Sequence, residues 1–413
     1  MIYQINIIQL KYISIRLLGR IMTHKMRKVI LVIEDASSYC RELIRGISRY
    51  AQVHGPWAIY RNIHDSSYRH GRELRKEFYD HLYEIDADGL ITRSPERTKE
   101  ITKKGVPTVI AITETHASGN IPKLDIAHDL IGKMAAEYFI ERGYTNFAFY
   151  GNIRYHWTRL RYEGFKAAAG KHNFYYYDHP TNREILTKGV DFKINHLASW
   201  LVTLPKPVGL MACSDAWAVN VIEACKLVSI HIPEQLAILG VDNDEPICLT
   251  CFPQLSSISL NAETSGFKAA QLLDDLMNGR KPENKKIFVE PVQVVTRTST
   301  DVMAITDNDV AESLQFIRAS RREPIQVIDV ASKVGVSRRT LQNKFRQKLN
   351  RSILDEIKNS RIAYAKELLL NTDMNISEIS NYMNFPGINS FSRYFKNETE
   401  LSPIEYRRKY GRR

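Results

Sequence analysis

The stretch IQVIDVASKVGVSRRTLQNKFRQKL, residues 325–349, indicates the fold of the C-terminal part of the chain. Its apolar residues recur at helical spacing on both sides of Gly335, so two short helices can each bury one face around a turn. Ser337 is a favourable N-cap for the second helix. Basic and amide side chains cover the face of that helix opposite the apolar one. This pattern is typical of a helix that enters the major groove of DNA.

A second stretch, NISEISNYMNFPGINSFSRYFKNETELSPIEYRR at residues 375–408, repeats the arrangement. A long predicted helix, residues 353–370, connects the two stretches, and an amphipathic helix over 308–320 precedes the first. We therefore expect an all-α domain with helix-turn-helix units at about 328–347 and 376–397. The rigid connection would place two recognition helices on one face of the DNA, about one turn apart.

Two helix-turn-helix units joined by one long helix, with the closing motif SPIEYRRK, resemble the DNA-binding domain of the AraC/XylS family. The resemblance covers residues 305–410. Asn384 stands before Phe385 where the family usually has glycine, and asparagine tolerates the left-handed backbone better than most residues. Ser380 replaces a usual alanine.

The resemblance also implies which side chains contact DNA. Arginine reads guanine, and glutamine or asparagine reads adenine, through paired hydrogen bonds, whereas phosphate contacts only position the protein. Each residue could instead belong to a solvated helix face. The candidates for base contacts are Arg339, Gln342, Asn343, Asn389 and Arg393; those for phosphate contacts are Ser337, Ser392 and Lys396; the others on these faces are Arg338, Arg346 and Ser390.

Composition and charge agree with a DNA-binding domain attached to a different body. The 413 residues are 44% hydrophobic and 25% charged, with five cysteines, which excludes a disulfide scaffold, a mainly disordered chain or a multi-span membrane protein. The net charge is +12. Residues 306–413 carry +7 and residues 1–28 carry +6, whereas the 277 residues between them carry −1. A basic terminal domain on a neutral body is typical of a nucleic-acid reader.

The N-terminal stretch MIYQINIIQLKYISIRLLGRIMTHKM resembles a signal peptide only superficially. Its apolar run is interrupted by polar and charged side chains, so no apolar core develops, and it is too short and too charged for a membrane-spanning helix. We expect residues 1–26 to be a disordered extension and the protein to act in the cytoplasm, associated with the nucleoid when bound to DNA.

The middle of the chain alternates between apolar strands and helices. Examples are VILVIE (29–34), PTVIAI (107–112), FAFYG (147–151), VGLMA (208–212) and LAILGV (236–241), and a last apolar run, KIFVEPVQVVTRTS, closes the region. A helix is also predicted near residues 73–83. Continuous apolar strands alternating with helices indicate parallel sheets covered on both faces. A dozen strands exceed one sheet, so we expect two α/β lobes enclosing a cleft, with ligands bound at the strands' C-terminal ends.

The segments FIERGYTNFAFYG, RYEGFKAA, MACSD, HIPEQLAILGVDNDE and VVTRTST come in the order of the lactose/galactose-repressor (LacI/GalR) sensor, which has the periplasmic-binding-protein fold. We expect this sensor domain over residues 27–301 and the DNA-binding domain over 302–413. The resemblance implies that Asp242 accepts sugar hydroxyls, that Arg161 contacts the sugar and that Trp157 packs against a sugar face. The other candidate ligand residues are Tyr39, Ser94, His128, Asp129, Ser214 and Asp215.

Each of these assignments has a plainer alternative. Asp242 could cap a turn, and Arg161 could form a surface ion pair. Asp215 could be a helix N-cap. Trp157 could be ordinary packing, and His128 could contact no ligand.

A repressor-type sensor followed by an AraC-type domain resembles the xylose operon activators. This resemblance implies D-xylose as the effector, activation of genes for xylose uptake and catabolism, double-stranded promoter DNA and RNA polymerase as partners, and a homodimer. A regulator of another sugar, a repressor, a transport-type solute-binding protein and a sugar-processing enzyme remain alternatives. No nucleophile with a base stands out, so we expect no enzyme and no cofactor. Cys248 and Cys251 form a lone CxxC without further ligands, so we expect no metal site.

Overall fold

The computed structural model describes residues 26–35, 37–61, 82–93, 95–96, 98–111, 121–180, 190–282, 284–301, 307–349 and 351–410. Ser94 and residues 1–25 lie outside these ranges, as does most of the helix predicted near residues 73–83. The chain divides into two compact units. The first contains Met1–Ile126 and Ser265–Val289, and the second contains Ala127–Thr264 and Glu290–Arg413.

The strands of the described residues follow the predicted alternation. In chain order they are β1 (Arg27–Val32), β2 (Trp57–Arg61), β3 (Gly89–Thr92), β4 (Thr108–Ala111), β5 (Lys123–Ile126), β6 (Asn146–Tyr150), β7 (Asn173–Tyr176), β8 (Val208–Ala212), β9 (Leu236–Val241), β10 (Ser256–Leu260), β11 (Lys286–Val289) and β12 (Pro291–Val295).

Helices lie between these strands and form the C-terminal part of the chain. In chain order they are α1 (Ser38–His54), α2 (Lys99–Lys103), α3 (His128–Ile140), α4 (His156–Ala169), α5 (Val190–Thr203), α6 (Asp215–Leu227), α7 (Glu245–Thr250), α8 (Ala262–Met277), α9 (Asn308–Ala319), α10 (Val327–Lys333), α11 (Arg338–Leu349), α12 (Ile353–Asn371), α13 (Ile376–Tyr382), α14 (Ile388–Thr399) and α15 (Pro403–Tyr410). A short 3₁₀ turn, Thr298–Thr300, follows β12.

Each unit contains one six-stranded sheet. The sheet of the first unit has the order β11-β5-β4-β3-β1-β2, and its pairs are parallel. The sheet of the second unit has the order β12-β10-β9-β8-β6-β7, and only its β10–β12 pair is antiparallel. The central strands β8 and β9 are buried throughout, as expected for a sheet with helices on both faces. The predicted two-lobed α/β fold is confirmed.

The last apolar run is divided between the two sheets. Residues 286–299 do not form one strand, because β11 belongs to the first sheet and β12 to the second. The chain passes between the sheets at Glu290, and Pro291 opens the new strand, a position at which proline's missing N–H is tolerated. Strand β5 and helix α7 were not predicted.

The C-terminal part of the second unit consists of helices around two apolar clusters. The first cluster gathers Val310, Val330, Leu341, Phe345 and Ile357, from helices α9 to α12. The second gathers Ala365, Ile379, Met383, Phe391 and Phe395, from helices α12 to α14. Helix α12 contributes to both clusters, so it joins the two helix-turn-helix units as predicted. Among the described residues, no helix has the length and apolar character needed to cross a membrane.

Candidate functional site

Two glycines allow α3 and α4 to approach at backbone distance in the second unit. A Cβ added to Gly132 would lie 2.3 Å from the backbone oxygen of Arg161, and one added to Gly164 would lie 2.3 Å from that of Asp129. Any side chain at either position would push the helices apart. The close contact therefore sets where Arg161 on α4 lies relative to the first turn of α3.

Arg161 is a buried cation, with only 4% of its side chain exposed. Its Nε donates to Nδ1 of His128 at 3.2 Å, and its Nη1 donates to the backbone oxygen of Cys213 at the end of β8. Its guanidinium also lies 5.2 Å from the centre of the Trp157 ring, within reach of a cation–π attraction. These contacts orient the guanidinium at the C-terminal ends of the strands.

His128 is held as a neutral hydrogen-bond donor. Because Nδ1 accepts from Arg161, the proton of the neutral ring lies on Nε2. Burial, and then the charges of Arg161 and His156, lower the pKa of His128 to about 2. His128 therefore stays uncharged at any physiological pH and can donate to a polar ligand.

Asp242 supplies the acceptor beside these donors. It follows β9, its side chain is 16% exposed, and its Oδ1 lies 3.8 Å from Nη2 of Arg161. That distance is longer than a hydrogen bond, so both groups retain capacity for a third polar partner. Burial raises the pKa of Asp242 to about 6, Arg161 opposes the rise, and Asp244 adds to it.

Asp215 lies beneath this loop and not on its surface. It is 1% exposed, and its carboxylate accepts from the backbone N–H of Asp244 at 2.7 Å and from Oγ of Ser257 at 2.6 Å. Burial, and then the charge of Asp242, raise the pKa of Asp215 to about 8. Ser214, and not Asp215, occupies the N-cap position of α6. The structure thus makes Asp215 a support for the loop that carries Asp242.

The other predicted ligand residues are more scattered. Tyr39 is buried in the first unit, and Ser94 lies outside the described residues. Asp129 is exposed in the first turn of α3, Ser214 is half-buried, and Trp157 is half-buried above Arg161. Of the predicted residues, the structure brings His128, Trp157, Arg161 and Asp242 together.

The predicted DNA-reading residues lie on the outer faces of α11 and α14. The exposed ones are Ser337, Arg338, Arg339, Asn343, Arg346, Asn389, Ser390, Arg393 and Lys396, and the half-buried ones are Gln342 and Ser392. Ser337 caps α11 as predicted, because its Oγ accepts from the N–H of Thr340 at 3.1 Å. Lys344 lies on α11 but points away from this face, because it pairs with Asp307 at 3.0 Å and Asp309 at 2.5 Å.

Contacts between the second helix-turn-helix unit and the segment after α9 fix the position of that unit. Asn384 has the left-handed backbone expected for it, with φ of 54°, and its side chain donates to Glu323 after α9 at 2.8 Å. Arg322 donates to the backbone oxygen of Tyr382 and lies 4.2 Å from that ring's centre. The asparagine that replaces the family's glycine therefore connects the second unit to the segment after α9, and α9 packs in the apolar cluster of the first unit.

Asn243 and Arg297, which bond to each other behind the loop that carries Asp242, were not predicted. Arg297 donates from Nη2 to Oδ1 of Asn243 at 2.9 Å and from Nη1 to the backbone oxygen of Leu255 at 2.8 Å. Asn243 belongs to the motif GVDNDE and Arg297 to the motif VVTRTST. The two residues are 54 positions apart, and no sequence pattern indicates that they are in contact.

Comparisons with known proteins agree with this architecture. Residues 136–300 match the periplasmic binding protein-like domain, and residues 330–409 match a helix-turn-helix domain. The chain is 29% identical over 402 residues to the xylose operon regulatory protein of Haemophilus influenzae, covering 94% of this chain and 99% of that one. It is 28% identical over 405 residues to the xylose operon regulatory protein of Escherichia coli K12, covering 94% and 98%.

A solved structure of a xylose-binding transcription activator is also similar. It shares 26% identity with a TM-score of 0.56, over 94% of this chain and 99% of that chain. The similarity to each of these three proteins covers both the α/β part of the chain and the helix-turn-helix units.

Proposed function

We propose that this chain, a two-domain protein of the xylose operon regulator type, is a sugar-responsive transcriptional regulator that binds D-xylose in its sensor and promoter DNA through α11 and α14. Like its relatives, it is a regulator and not an enzyme. The proposed limits are 27–301 for the sensor and 302–413 for the DNA-binding domain.

The observation that carries the sugar assignment is the group formed by Arg161, His128, Asp242 and Trp157. It offers a cationic donor, a neutral donor, an anionic acceptor and an aromatic ring within one lobe. A pentose presents hydroxyls that both donate and accept, together with an apolar ring face, so its chemistry matches this group. We propose that Asp242 accepts hydrogen bonds from two sugar hydroxyls and that Arg161 and His128 donate to oxygens of the sugar.

The observation that carries the DNA assignment is the outward basic and amide face on each recognition helix. We propose that Arg339, Gln342 and Asn343 contact bases from the first unit, and that Asn389 and Arg393 contact bases from the second. Ser337 also caps its helix, so its hydroxyl oxygen serves two partners if it donates to a phosphate.

The finer assignments rest on the resemblance to xylose operon regulators. We infer activation of xylose uptake and catabolism genes through RNA polymerase, a homodimer, and action in the cytoplasm with nucleoid association when bound to DNA. Transcription from a promoter duplex with purified polymerase, with and without D-xylose, tests activation, and light scattering tests the dimer.

Calorimetric titration with D-xylose is the first experiment, with L-arabinose, D-ribose and D-glucose as comparison sugars. Selective binding of D-xylose supports the proposal. Binding of another sugar would replace the effector and leave the DNA assignment standing. Gel retardation with a duplex enriched from a random pool by the full chain separates a regulator from a solute-binding protein, which would retain no DNA.

A further inference from the structure

We infer that Asn243 and Arg297 are positioning residues that couple the sugar-contacting loop to the DNA-binding domain. The inference rests on the proposed function, since it assumes that Asp242 contacts the effector. It concerns neither sugar contact nor DNA contact, but the connection between them within the second unit.

The sensor end of this connection is a loop in an unusual backbone conformation. Asp242 has φ of 101° and Asn243 has φ of 48°, so two successive non-glycine residues lie in the left-handed region. Such a conformation persists only where surrounding contacts hold it. Here the N–H of Asn243 donates to Oγ of Ser257 at 2.9 Å, and Ser257 in turn donates to the buried Asp215.

Arg297 connects this loop to the last strand of the sensor. One guanidinium nitrogen donates to the Asn243 side chain at 2.9 Å, and another donates to the backbone of Leu255 at 2.8 Å. Its own N–H donates to Oγ of Ser256 at 2.7 Å. Because Asn243 is the neighbour of Asp242 in the chain, a shift of the Asp242 carboxylate moves the partner of Arg297.

Residues 298–301, which follow Arg297, contact the sensor and the DNA-binding domain. Arg297 immediately precedes the 3₁₀ turn, in which the hydroxyl of Ser299 donates to the backbone oxygen of Ile238 in β9 at 2.7 Å. The hydroxyl of Thr300 lies 2.5 Å from that of Tyr138. Asp301, the next residue, pairs with Arg318 of α9 at 3.8 Å.

A second contact joins the same helix, α3, to the DNA-binding domain. Arg351 donates to the backbone oxygen of Glu141, directly after α3, at 2.6 Å, and it pairs with Glu356 of α12 at 2.6 Å. Asp301 after the 3₁₀ turn and Glu141 after α3 thus both contact the DNA-binding domain, the first at α9 and the second at the start of α12. A displacement of Arg297 would change the first of these contacts and leave the second, which would tilt that domain.

The experiment measures DNA affinity with and without D-xylose for the full chain, using a duplex enriched from a random pool by the wild type. Asn243→Gly is the main variant, because glycine keeps the left-handed backbone and removes only the side-chain acceptor. Arg297→Lys is the second variant, because lysine keeps the positive charge but lacks the guanidinium group that donates to both Asn243 and Leu255. Thr298→Ala, at an exposed neighbour in the same turn, is the matched control.

We expect the xylose-dependent ratio of DNA affinities to fall by about 2- to 30-fold in Asn243→Gly and Arg297→Lys, as is typical of substitutions at residues that modulate coupling between two sites. The affinity for D-xylose, measured by calorimetry, should change by less than about threefold, and Thr298→Ala should keep the wild-type ratio.

A purely structural role predicts a different result. In that case the variants would lose thermal stability and xylose affinity together, while the xylose-dependent ratio of DNA affinities stayed at the wild-type value. That outcome would overturn the inference. An unchanged ratio in both variants, with both folded, would also overturn it. If none of the four sugars used in the calorimetric titration changes the DNA affinity of the wild type, the proposed function fails instead. The two failures are therefore distinguishable.

Discussion

Replacing Asp242 with asparagine should weaken sugar binding and stabilise the sugar-free protein at neutral pH. The change keeps the shape of the side chain and removes its charge. The proposed contact uses both carboxylate oxygens as acceptors, whereas the amide offers one. A hydrogen bond to a charged group contributes about 1.5–3 kcal/mol, so losing one weakens D-xylose binding by about 10- to 150-fold.

The stabilising effect follows from the direction of the pKa change. Burial raises the pKa of Asp242 from 3.8 to about 6, so the folded state resists ionisation more than the unfolded state does. The free energy of unfolding of the native protein therefore falls as the pH rises from 3.8 to about 6, and it stays at the lower value above pH 6. Each pH unit between the two pKa values corresponds to about 1.4 kcal/mol, which gives about 3 kcal/mol above pH 6 as an upper bound.

The asparagine variant removes that cost, while the buried Arg161 loses a counter-charge 3.8 Å away. Because burial outweighs Arg161 in setting the pKa of Asp242, we expect a net gain of about 1–3 kcal/mol at pH 7 that disappears near pH 4. Urea unfolding of both proteins across this range measures the difference. Glu163→Gln is the matched control, since Glu163 is an exposed acid on α4 with 57% of its side chain accessible.

Two results would refute this reasoning. Unchanged xylose affinity would remove Asp242 from the sugar contact. A variant that is less stable at pH 7 than at pH 4, relative to the native protein, would mean that the ion pair with Arg161 dominates over burial.

Four further changes have defined outcomes. Gly164→Ala should weaken D-xylose binding by about tenfold and destabilise the fold by about 1–3 kcal/mol, because the new Cβ meets a backbone oxygen of the facing helix at 2.3 Å; unaltered titration and melting curves would contradict the close packing. D-xylose affinity should fall by about tenfold for each pH unit below 6, as Asp242 takes up a proton, and a flat profile between pH 5 and 7 would show that the ionised form is not required. Asn384→Gly keeps the left-handed backbone but loses the bond to Glu323, so unfolding of the DNA-binding part should cost about 1 kcal/mol less, with DNA affinity reduced in gel retardation. Arg393→Ala should reduce the discrimination between bases at one position of the DNA site by about 1–3 kcal/mol, measured by competition with a series of mutated duplexes. If binding weakened equally for all sequences, Arg393 would contact a phosphate and not a base.

The fold could be predicted largely from local patterns. Buried parallel strands leave continuous apolar runs, and the turn at Gly335 and the N-cap at Ser337 each have a local signature. The division of residues 286–299 between two sheets could not be predicted in this way. Both halves are apolar, and which sheet each half joins depends on partners distant in sequence.

The site was predicted less completely for the same reason. Arg161 and Asp242 were identified through the resemblance, because each lies within a recognisable motif. The support given by Asp215 and the bond between Asn243 and Arg297 depend on side-chain direction at the end of a strand, which periodicity does not encode. An aspartate at the start of a helix has the same sequence signal whether it caps, binds a ligand or supports a loop.

The passage of the chain at Glu290 has a consequence for the order in which the protein can fold during synthesis. Strand β11 pairs with β5, yet β5 ends at Ile126 and β11 only ends at Val289. At about 5–20 residues per second, the ribosome adds the intervening chain in roughly 10–30 s. Throughout that time the edge of β5 has no strand to pair with, and such an edge is a template for pairing with other chains. A pause or truncation before residue 289 would leave this edge of the first sheet open.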